Sequence, residues 1–208
     1  MANGTTRELS RLDMAVFGIK STLLKARRLA SDGLDRRCMR WRATAGSGEA
    51  LAGETLAEVV TPLYSDGDDR EQALQLGKVQ NLRVAARAFD GVVIPTGRTF
   101  SFWAQLGRPT RARGFVVGRE LRQGCLIPTL AGGICQLSNS LYRAASQAGC
   151  RIVERHGHTA AIAGSPFPPG EDATVYWNYV DLRFEASRQL RVVCRLTESH
   201  LIVRLEAA

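Results

Sequence analysis

The stretch that decides the fold is Leu130-Ala-Gly-Gly-Ile-Cys-Gln-Leu-Ser-Asn-Ser-Leu-Tyr-Arg-Ala-Ala-Ser-Gln-Ala-Gly149. Its apolar residues recur three or four positions apart, which predicts an amphipathic helix with one buried face. Gly132-Gly133 gives the helix a flexible entry with little side-chain bulk, and Gly149 is a natural end for it. Cys135 then falls in the first turn. Unpaired backbone N–H groups and the positive end of the helix dipole favour a thiolate there.

The segment after this helix predicts a strand that returns two histidines to the cysteine. A helix over residues 135–148 and a strand over residues 151–157 have similar lengths, roughly 21 and 23 Å. A strand that runs back along the helix therefore ends level with Cys135. His156 and His158 lie at that end and, being two residues apart, point the same way. The spacing predicts a histidine base beside an activated thiol.

The same residues also have structural interpretations. A cysteine after two glycines is also typical of a small packing residue, and a lone histidine is often hydrogen-bonded in the core or at the surface. Gln136, Ser138 and Asn139 either polarise a site or solvate the first turns of the helix.

The segments around this unit predict an α+β fold. A helix is predicted at residues 76–89, and strand-like runs follow at residues 91–95, 173–181, 190–196 and 200–205. Short connections between the last runs imply antiparallel neighbours. We expect a mainly antiparallel sheet packed against a central Cys-bearing helix, with an N-terminal helical extension.

The N-terminal segment differs from the rest in charge. The formal net charge is +8, and residues 1–50 hold ten Lys or Arg and five Asp or Glu. Residues 8–31 have the spacing of an amphipathic helix. That helix either packs on the main domain or lies on an anionic membrane surface, in which case residues 8–42 make the contact.

These features predict two parts in the chain. Residues 1–70 are expected to form a basic helical extension, with a short helix at residues 54–60. Residues 71–208 are expected to form the compact domain.

Composition bounds the class of protein. The chain has 208 residues, of which 45% are hydrophobic and 23% charged, enough for one domain with a core. No stretch approaches the roughly 20 apolar residues of a membrane span, and the start lacks the apolar run of a secretory signal. We expect a cytoplasmic protein, with a peripheral position at the inner membrane face if the basic helix binds lipid.

The cysteines argue against a disulfide framework or a zinc finger, because their number is odd and no CxxC pair occurs. They are Cys38, Cys125, Cys135, Cys150 and Cys194. We expect no cofactor. We also expect no nucleic-acid partner, because the basic segment has few interleaved aromatic residues and no recognisable motif.

Several separate motifs resemble the VanW family, named for an accessory protein of glycopeptide-resistance gene clusters. They are, in family order over about residues 76–205, Thr99-Phe-Ser-Phe-Trp103, Gly107-Arg-Pro-Thr110, Gly132-Gly-Ile-Cys-Gln-Leu-Ser-Asn139, Leu141-Tyr142, Val153-Glu-Arg-His-Gly-His158, Ala173-Thr-Val175, Asn178-Tyr179 with Asp181-Leu182, and Leu196-Thr197 with His200-Leu201. The chain is similar to short family members without a signal peptide. The family usually has a third glycine where this chain has Ala131. The resemblance implies a link to cell-envelope biology or glycopeptide resistance, without a settled reaction.

The first functional hypothesis is a cysteine-nucleophile amide hydrolase or acyl transferase that acts on a cell-wall-related peptide. Cys135 would attack an acyl carbon, and His158, or failing that His156, would take the thiol proton. Asp181 or Asp172 would orient the imidazole, with Asp181 preferred.

Two other hypotheses belong to different classes. One is a non-catalytic binding module for a cell-wall glycan or peptide, with aromatic side chains as its contact surface. The other is a metal site made of Cys135, His156 and His158. In either enzyme or binding module, the expected substrate-binding residues are Gly132, Gly133, Gln136, Ser138, Asn139, Trp103 and Tyr142.

Overall fold

The chain divides into two compact units, residues 1–36 and residues 37–208. The structure is a computed structural model, and it describes residues 19–28, 30, 40–41, 53–64, 69–122, 125–157 and 170–208. In the first unit, residues 19–28 form a helix, α1. None of the helices in these ranges is both long and apolar enough to cross a membrane.

In the described part of the second unit, short strands alternate with three α-helices and one 3₁₀ turn, Arg111–Arg113. The helices are α2 (Asp69–Phe89), α3 (Phe102–Leu106) and α4 (Cys135–Gln147). The strands are β1 (Thr55–Pro62), β2 (Val93–Ile94), β3 (Thr99–Ser101), β4 (Val117–Arg122), β5 (Cys125–Leu130), β6 (Arg151–Glu154), β7 (Arg183–Glu185), β8 (Leu190–Leu196) and β9 (His200–Ala207).

All strand pairs are antiparallel. One sheet has the order β1-β9-β8-β2, a second has the order β3-β7-β6, and β4 and β5 form a separate hairpin. The predicted α+β fold with mainly antiparallel sheets is therefore confirmed.

Helix α4 packs with the predicted face inward. Leu137, Leu141, Ala144 and Ala145 are fully buried. These residues recur three or four positions apart, so the periodicity alone located the buried face.

The prediction of a short helix at residues 54–60 is wrong, because this segment belongs to β1. Ala57, Val59 and Thr61 are buried while the residues between them are exposed. That period of two is the pattern of a strand with one buried face. Strand β1 lies before residue 71, where the compact domain was expected to begin, and it pairs with β9. The predicted domain boundary itself stays a prediction.

The strand predicted at residues 173–181 is also wrong. The segment has an isolated bridge between Tyr176 and Val180, with turns between them. Its backbone N–H and carbonyl groups form hydrogen bonds with side chains instead of with a neighbouring strand. Ala173 is held on both its N–H and its carbonyl by α4, and the carbonyl of Val180 accepts from Trp103 Nε1 at 2.8 Å.

Backbones meet at contact distance where α2, the β4–β5 hairpin and the entry to α4 cross. A Cβ at Gly118 would lie 2.6 Å from the carbonyl oxygen of Gly132, and a Cβ at Gly132 would lie 2.4 Å from that of Gly118. Glycine is required at both positions, because a side chain on either would collide with backbone. Buried Asn81 donates to the carbonyls of Gly132 and Val116, 3.0 Å in each case, and ties α2 to both.

Lys78 in α2 lies against Gly133, the residue that follows Gly132. Gly133 has φ +94°, and its missing Cβ would lie 2.1 Å from Lys78 Cγ. Lys78 is only 8% exposed. Burial, aided by the nearby Arg119 guanidinium, lowers the pKa of Lys78 to about 8.

The entry to α4 contains a second residue in the left-handed region. Ala131 has φ +62°, a conformation that costs an L-residue with a Cβ roughly 1–2 kcal/mol.

The pairing of β1 with β9 generates a stability prediction. Val59→Ala should lower the free energy of unfolding by roughly 2 kcal/mol, because two buried methyl groups are lost. Val60→Ala is the matched control, since Val60 is 50% exposed, and should cost under about 0.5 kcal/mol. Urea denaturation of the two variants measures both values. Equal losses would contradict the assignment of β1.

The lowered pKa of Lys78 should make stability depend on pH. Lys78 titrates near pH 8 in the folded chain and near its ordinary value of 10.5 when unfolded. Between these values the unfolded chain binds more protons, so the free energy of unfolding should rise with pH. Lys78→Met removes the buried charge. It should raise the free energy of unfolding at neutral pH by about 3 kcal/mol, at about 1.4 kcal/mol per pKa unit, and the gain should vanish near pH 10.5.

Urea denaturation of wild type and variant at pH 7, 9 and 10.5 measures this gain. Exposed Lys20 in α1 provides the control variant Lys20→Met. A gain that is constant with pH would mean that Lys78 carries no depressed pKa.

Candidate functional site

Cys135 is the first residue of α4 and is half-buried. The N-cap residue, Ile134, makes no side-chain capping bond. In the part of the chain that the structure describes, no acceptor is bonded to the backbone N–H of Gly133, Ile134 or Cys135. The thiol therefore lies beside free N–H groups at the positive end of a 13-residue helix.

The thiol faces residues 172–175. Its sulfur lies 3.6 Å from Thr174 Oγ1 and donates to the carbonyl of Val175 at 3.7 Å. Sequence reasoning missed Thr174 as a neighbour of Cys135. The motif Ala173-Thr-Val175 was noted, but its spacing does not show that the segment folds back onto α4.

Two residues of α4 hold this segment in place. Ser138 Oγ donates to the carbonyl of Ala173 at 2.5 Å, and Asn139 Oδ1 accepts from the Ala173 N–H at 2.7 Å. Both side chains are buried. They position the residues opposite the thiol, and their predicted contact with a substrate stays a prediction.

Gln136 points to another element. Its side-chain amide donates to Thr61 Oγ1 at 2.9 Å and to the carbonyl of Pro62 at 2.8 Å. It therefore ties the start of α4 to the end of β1.

The backbone of His156 contacts the segment that faces Cys135. Its carbonyl accepts from the Thr174 N–H at 2.7 Å. Its ring Nε2 lies 3.2 Å from Glu154 Oε1, so an acid already contacts this histidine. Glu154 also accepts from the Asp181 N–H at 3.2 Å.

His158 lies outside the described residues. Its predicted role, and its predicted pairing with Asp181 or Asp172, stay predictions.

The carboxylate of Asp181 contacts the first residues of α3. It accepts from Ser101 Oγ at 2.7 Å, from the Trp103 N–H at 3.2 Å and from Arg183 Nε at 2.8 Å. Burial raises the pKa of Asp181, and the hydrogen bonds from Ser101 and Arg183 act in the opposite direction. The carboxylate joins α3 to β7.

Asp172 lies next to the segment that faces the Cys135 thiol. It directly precedes the clamped residue Ala173, and its Oδ1 lies 3.5 Å from the Arg155 guanidinium. A Cβ at Gly157, the residue before His158, would lie 3.3 Å from the same oxygen. Asp172 therefore lies beside both Arg155 and Gly157.

The two predicted aromatic contacts lie in different surroundings. Trp103 is 4% exposed and packs edge-on against Phe102 and Trp177, at 5.1 and 5.3 Å between ring centres. Tyr142 is half-buried beneath the Arg155 guanidinium, 5.0 Å from its ring centre. Trp103 is thus a core residue in this structure.

The other thiols with a described side chain are enclosed. Cys150 and Cys194 are buried and free. Burial raises the pKa of Cys150 to about 11 and raises that of Cys194 as well. Within the described ranges, no group of three His, Cys, Asp or Glu side chains is placed to hold a metal ion.

Lys78 is the second residue that sequence reasoning missed. Lysine occurs at three positions, Lys20, Lys25 and Lys78, whereas Lys and Arg together number 28. In α2, Lys78 is the one lysine and the other basic residues are arginines, and this difference could have marked it as a special position. Its burial against Gly133 depends on the backbone crossing, which no local pattern predicts.

Comparison with known proteins identifies relatives of the second unit. The family model described as VanW like protein matches residues 77–206. A Bacillus subtilis (strain 168) protein, uncharacterized protein YoaR, is 40% identical over 136 residues, which are 65% of this chain and 41% of that protein. Vancomycin B-type resistance protein VanW of Enterococcus faecalis (strain ATCC 700802 / V583) is 30% identical over 139 residues, which are 65% of this chain and 50% of that protein.

No solved structure matches the chain significantly. The chain spans half or less of the length of these two relatives. The matched region includes α4, residues 172–175 and the glycine crossing, so the candidate site lies within what the relatives share. The chain therefore belongs to the VanW family.

Proposed function

We propose that this chain is a cysteine-nucleophile amide hydrolase or acyl transferase that acts on a cell-wall-related peptide and contributes to glycopeptide resistance. The observation that carries the proposal is the placement of Cys135. Its thiol is half-buried, lies at the start of α4 and is next to three backbone N–H groups without an acceptor in the described part of the chain. Such surroundings can stabilise an oxyanion that forms on a substrate next to the thiol.

The reaction proceeds by acyl transfer. The Cys135 sulfur attacks the carbonyl carbon of an amide, and the carbonyl oxygen accepts hydrogen bonds from the first turn of α4. The C–N bond breaks, and the amine leaves with the proton that a histidine took from the thiol. Water or a second amine then takes the acyl group from the thioester and releases Cys135.

Two histidines are candidates for the base. His156 is supported by its contact with Glu154 and by the hydrogen bond of its backbone to Thr174, the neighbour of the thiol. His158 is supported by Asp172, which lies beside Gly157 and precedes the clamped segment. Nucleophile–base pairs commonly have a third group that orients the imidazole, and Glu154 already contacts the ring of His156.

The biological setting comes from the family. One relative is named as a vancomycin resistance protein, and glycopeptides such as vancomycin act on cell-wall peptides. A cysteine that cleaves or transfers an acyl group of such a peptide fits that setting. A non-catalytic binding module is the alternative, and the burial of Trp103 counts against the aromatic surface expected for it.

Cys135 should react before the enclosed thiols with iodoacetamide. At pH 6–7 in the native chain it should be alkylated at least about tenfold faster than Cys150 or Cys194, because a partly exposed thiol at a helix start reacts more readily. Peptide mass spectrometry over time measures each rate. His156→Ala and His158→Ala should identify the base by slowing the reaction at Cys135, whereas Cys150→Ser is the matched control and should not.

The alternatives predict other results. Labelling of Cys135 that requires prior chelation would indicate a metal ligand. If Cys135 does not react while the other cysteines are labelled, the enzyme hypothesis is wrong and a binding module becomes the better proposal.

Helix α1 carries the features of a membrane contact. Ile19 and Leu23 are 64% and 66% exposed, and they lie four positions apart on one face of the helix. Lys20 and Arg27 are exposed on the adjoining face. An exposed apolar stripe beside basic residues is typical of a helix that lies in a lipid interface. We propose that α1 binds peripherally to an anionic membrane, at the inner face in a cytoplasmic protein.

Vesicle binding tests this contact. The full chain should sediment with vesicles of phosphatidylcholine and phosphatidylglycerol, and less with phosphatidylcholine alone. Binding should weaken as sodium chloride rises, since exposed charges are screened over about 8 Å at physiological ionic strength. Leu23→Glu should reduce binding about tenfold, because an apolar side chain leaves the interface.

The matched control is Leu76→Glu, at a residue of α2 that is 55% exposed. Equal losses in the two variants, or equal binding to both vesicle types, would rule out α1 as the anionic contact.

A further inference from the structure

A group of exposed arginines lies on α2 and on the loop between α3 and β4. We call this group the arginine surface, and its members are Arg83, Arg87, Arg108, Arg111 and Arg113. Arg83 and Arg87 are four positions apart, so they lie on the same face of α2. The loop contains the motif Gly107-Arg-Pro-Thr110, which the chemistry at Cys135 does not use.

Side-chain contacts hold this loop against α2. The Gln80 amide donates to the carbonyl of Gly114 at 3.5 Å, and Gln80 Oε1 accepts from the Arg83 guanidinium at 3.3 Å. Within the loop, the Arg113 guanidinium donates to the carbonyl of Arg108 at 2.7 Å. Gln80 thus contacts both Arg83 and the end of the loop, so the arginines of the two elements adjoin each other.

Acidic side chains do not neutralise the arginine surface in the ranges that the structure describes. None of its guanidinium groups forms an ion pair with Asp or Glu there, and the hydrogen bonds of Arg83 and Arg113 go to neutral oxygens. Other arginines of the second unit do pair with acids, namely Arg119, Arg143, Arg151, Arg155, Arg183, Arg195 and Arg204. Uncompensated positive charge is therefore concentrated at this surface, where it favours an anionic partner.

The residue types on and beside this surface favour a lipid surface as the partner. A guanidinium is weakly hydrated and matches the oxygens of a phosphate group with two parallel hydrogen bonds. Val116 and Val117 follow the loop in sequence, and each is 36% exposed. Apolar side chains beside basic ones are typical of surfaces that lie in a lipid interface, whereas a soluble polyanion gains nothing from apolar contact.

We propose that the arginine surface binds the phosphate headgroups of an anionic membrane. This contact belongs to the second unit, which carries Cys135, and it is independent of both the chemistry of Cys135 and the proposed contact of α1. Each arginine near an anionic lipid surface strengthens binding roughly fivefold. The arginine surface would hold the candidate site close to lipid.

Vesicle binding by charge-removal variants of the full chain tests the proposal. One variant carries Arg83→Gln and Arg87→Gln on α2. A second carries Arg108→Gln and Arg111→Gln on the loop. Each should bind vesicles of phosphatidylcholine and phosphatidylglycerol at least about tenfold more weakly than the parent chain in a sedimentation assay. The same loss should occur when Leu23→Glu is already present, because the α1 contact is separate.

The matched control removes two exposed arginines that have acidic partners. Arg151 pairs with Glu185 and Arg195 pairs with Asp90, and their side chains are 66% and 58% exposed. A variant with Arg151→Gln and Arg195→Gln loses the same formal charge, yet its affinity for the vesicles should change less than about twofold. Because the two test pairs lie on different elements, a folding defect in one variant would not be shared by the other.

The outcomes separate this proposal from the others. Equal losses in the control and in both test variants would mean that total charge, not the arginine surface, governs binding, and would overturn it. Test variants that keep vesicle binding but lose binding to sodium polyphosphate would identify a soluble polyanion as the partner and would also overturn it. The iodoacetamide reaction of Cys135 should be unchanged in both test variants, so failure of the nucleophile is seen separately.

Discussion

The hydrogen bonds that Ser138 and Asn139 make to Ala173 are the constraint on which the site depends. One side chain takes the carbonyl of Ala173 and the other takes its N–H, so a backbone unit that a sheet would normally pair is paired by a helix. An unpaired buried peptide group would cost about 1–3 kcal/mol. Because these bonds fix Ala173, the next two residues face the sulfur of Cys135, and the N–H of Thr174 reaches the carbonyl of His156. The thiol, the clamped segment and the histidine strand are thus joined through one residue.

A second constraint acts from the other side of α4. The contacts of Gly118 with Gly132, and of Lys78 with Gly133, hold the entry to the helix at backbone distance from α2 and β4. The backbone N–H groups of Gly133, Ile134 and Cys135 have no acceptor in the described part of the chain, and Ile134 makes no side-chain capping bond. Ala131 adopts φ +62° in the same turn, so the tight entry is kept at some cost in backbone strain.

The sequence predicted the parts of this site that depend on local pattern. The face of α4 that carries Leu137 and Leu141, the position of Cys135 in the first turn and the strand that leads to His156 follow from periodicity and from the glycines at the helix ends. What failed depends on distant partners. Residues 173–181 have the composition of a strand, but the side chains of Ser138, Asn139 and Trp103 compete for their backbone. Residues 54–60 have the composition of a helix, but most of them pair with β9 as the strand β1. Lys78 and Thr174 were missed because each gains its place from a contact with a residue more than 35 positions away in the sequence.

The pairing of β1 with β9 has a consequence for how this unit fits into longer proteins. Thr55 and Glu206 lie side by side in the sheet, and the N–H of Ala207 donates to the carbonyl of Glu54 at 2.9 Å. The start of β1 and the end of β9 are therefore separated by a single hydrogen bond. A unit with adjoining ends can be inserted into another chain as a side branch, because it leaves the distance between the flanking residues almost unchanged. Residues 54–207 of this chain are suited to such an insertion, and the same geometry suits them to fusion at either end.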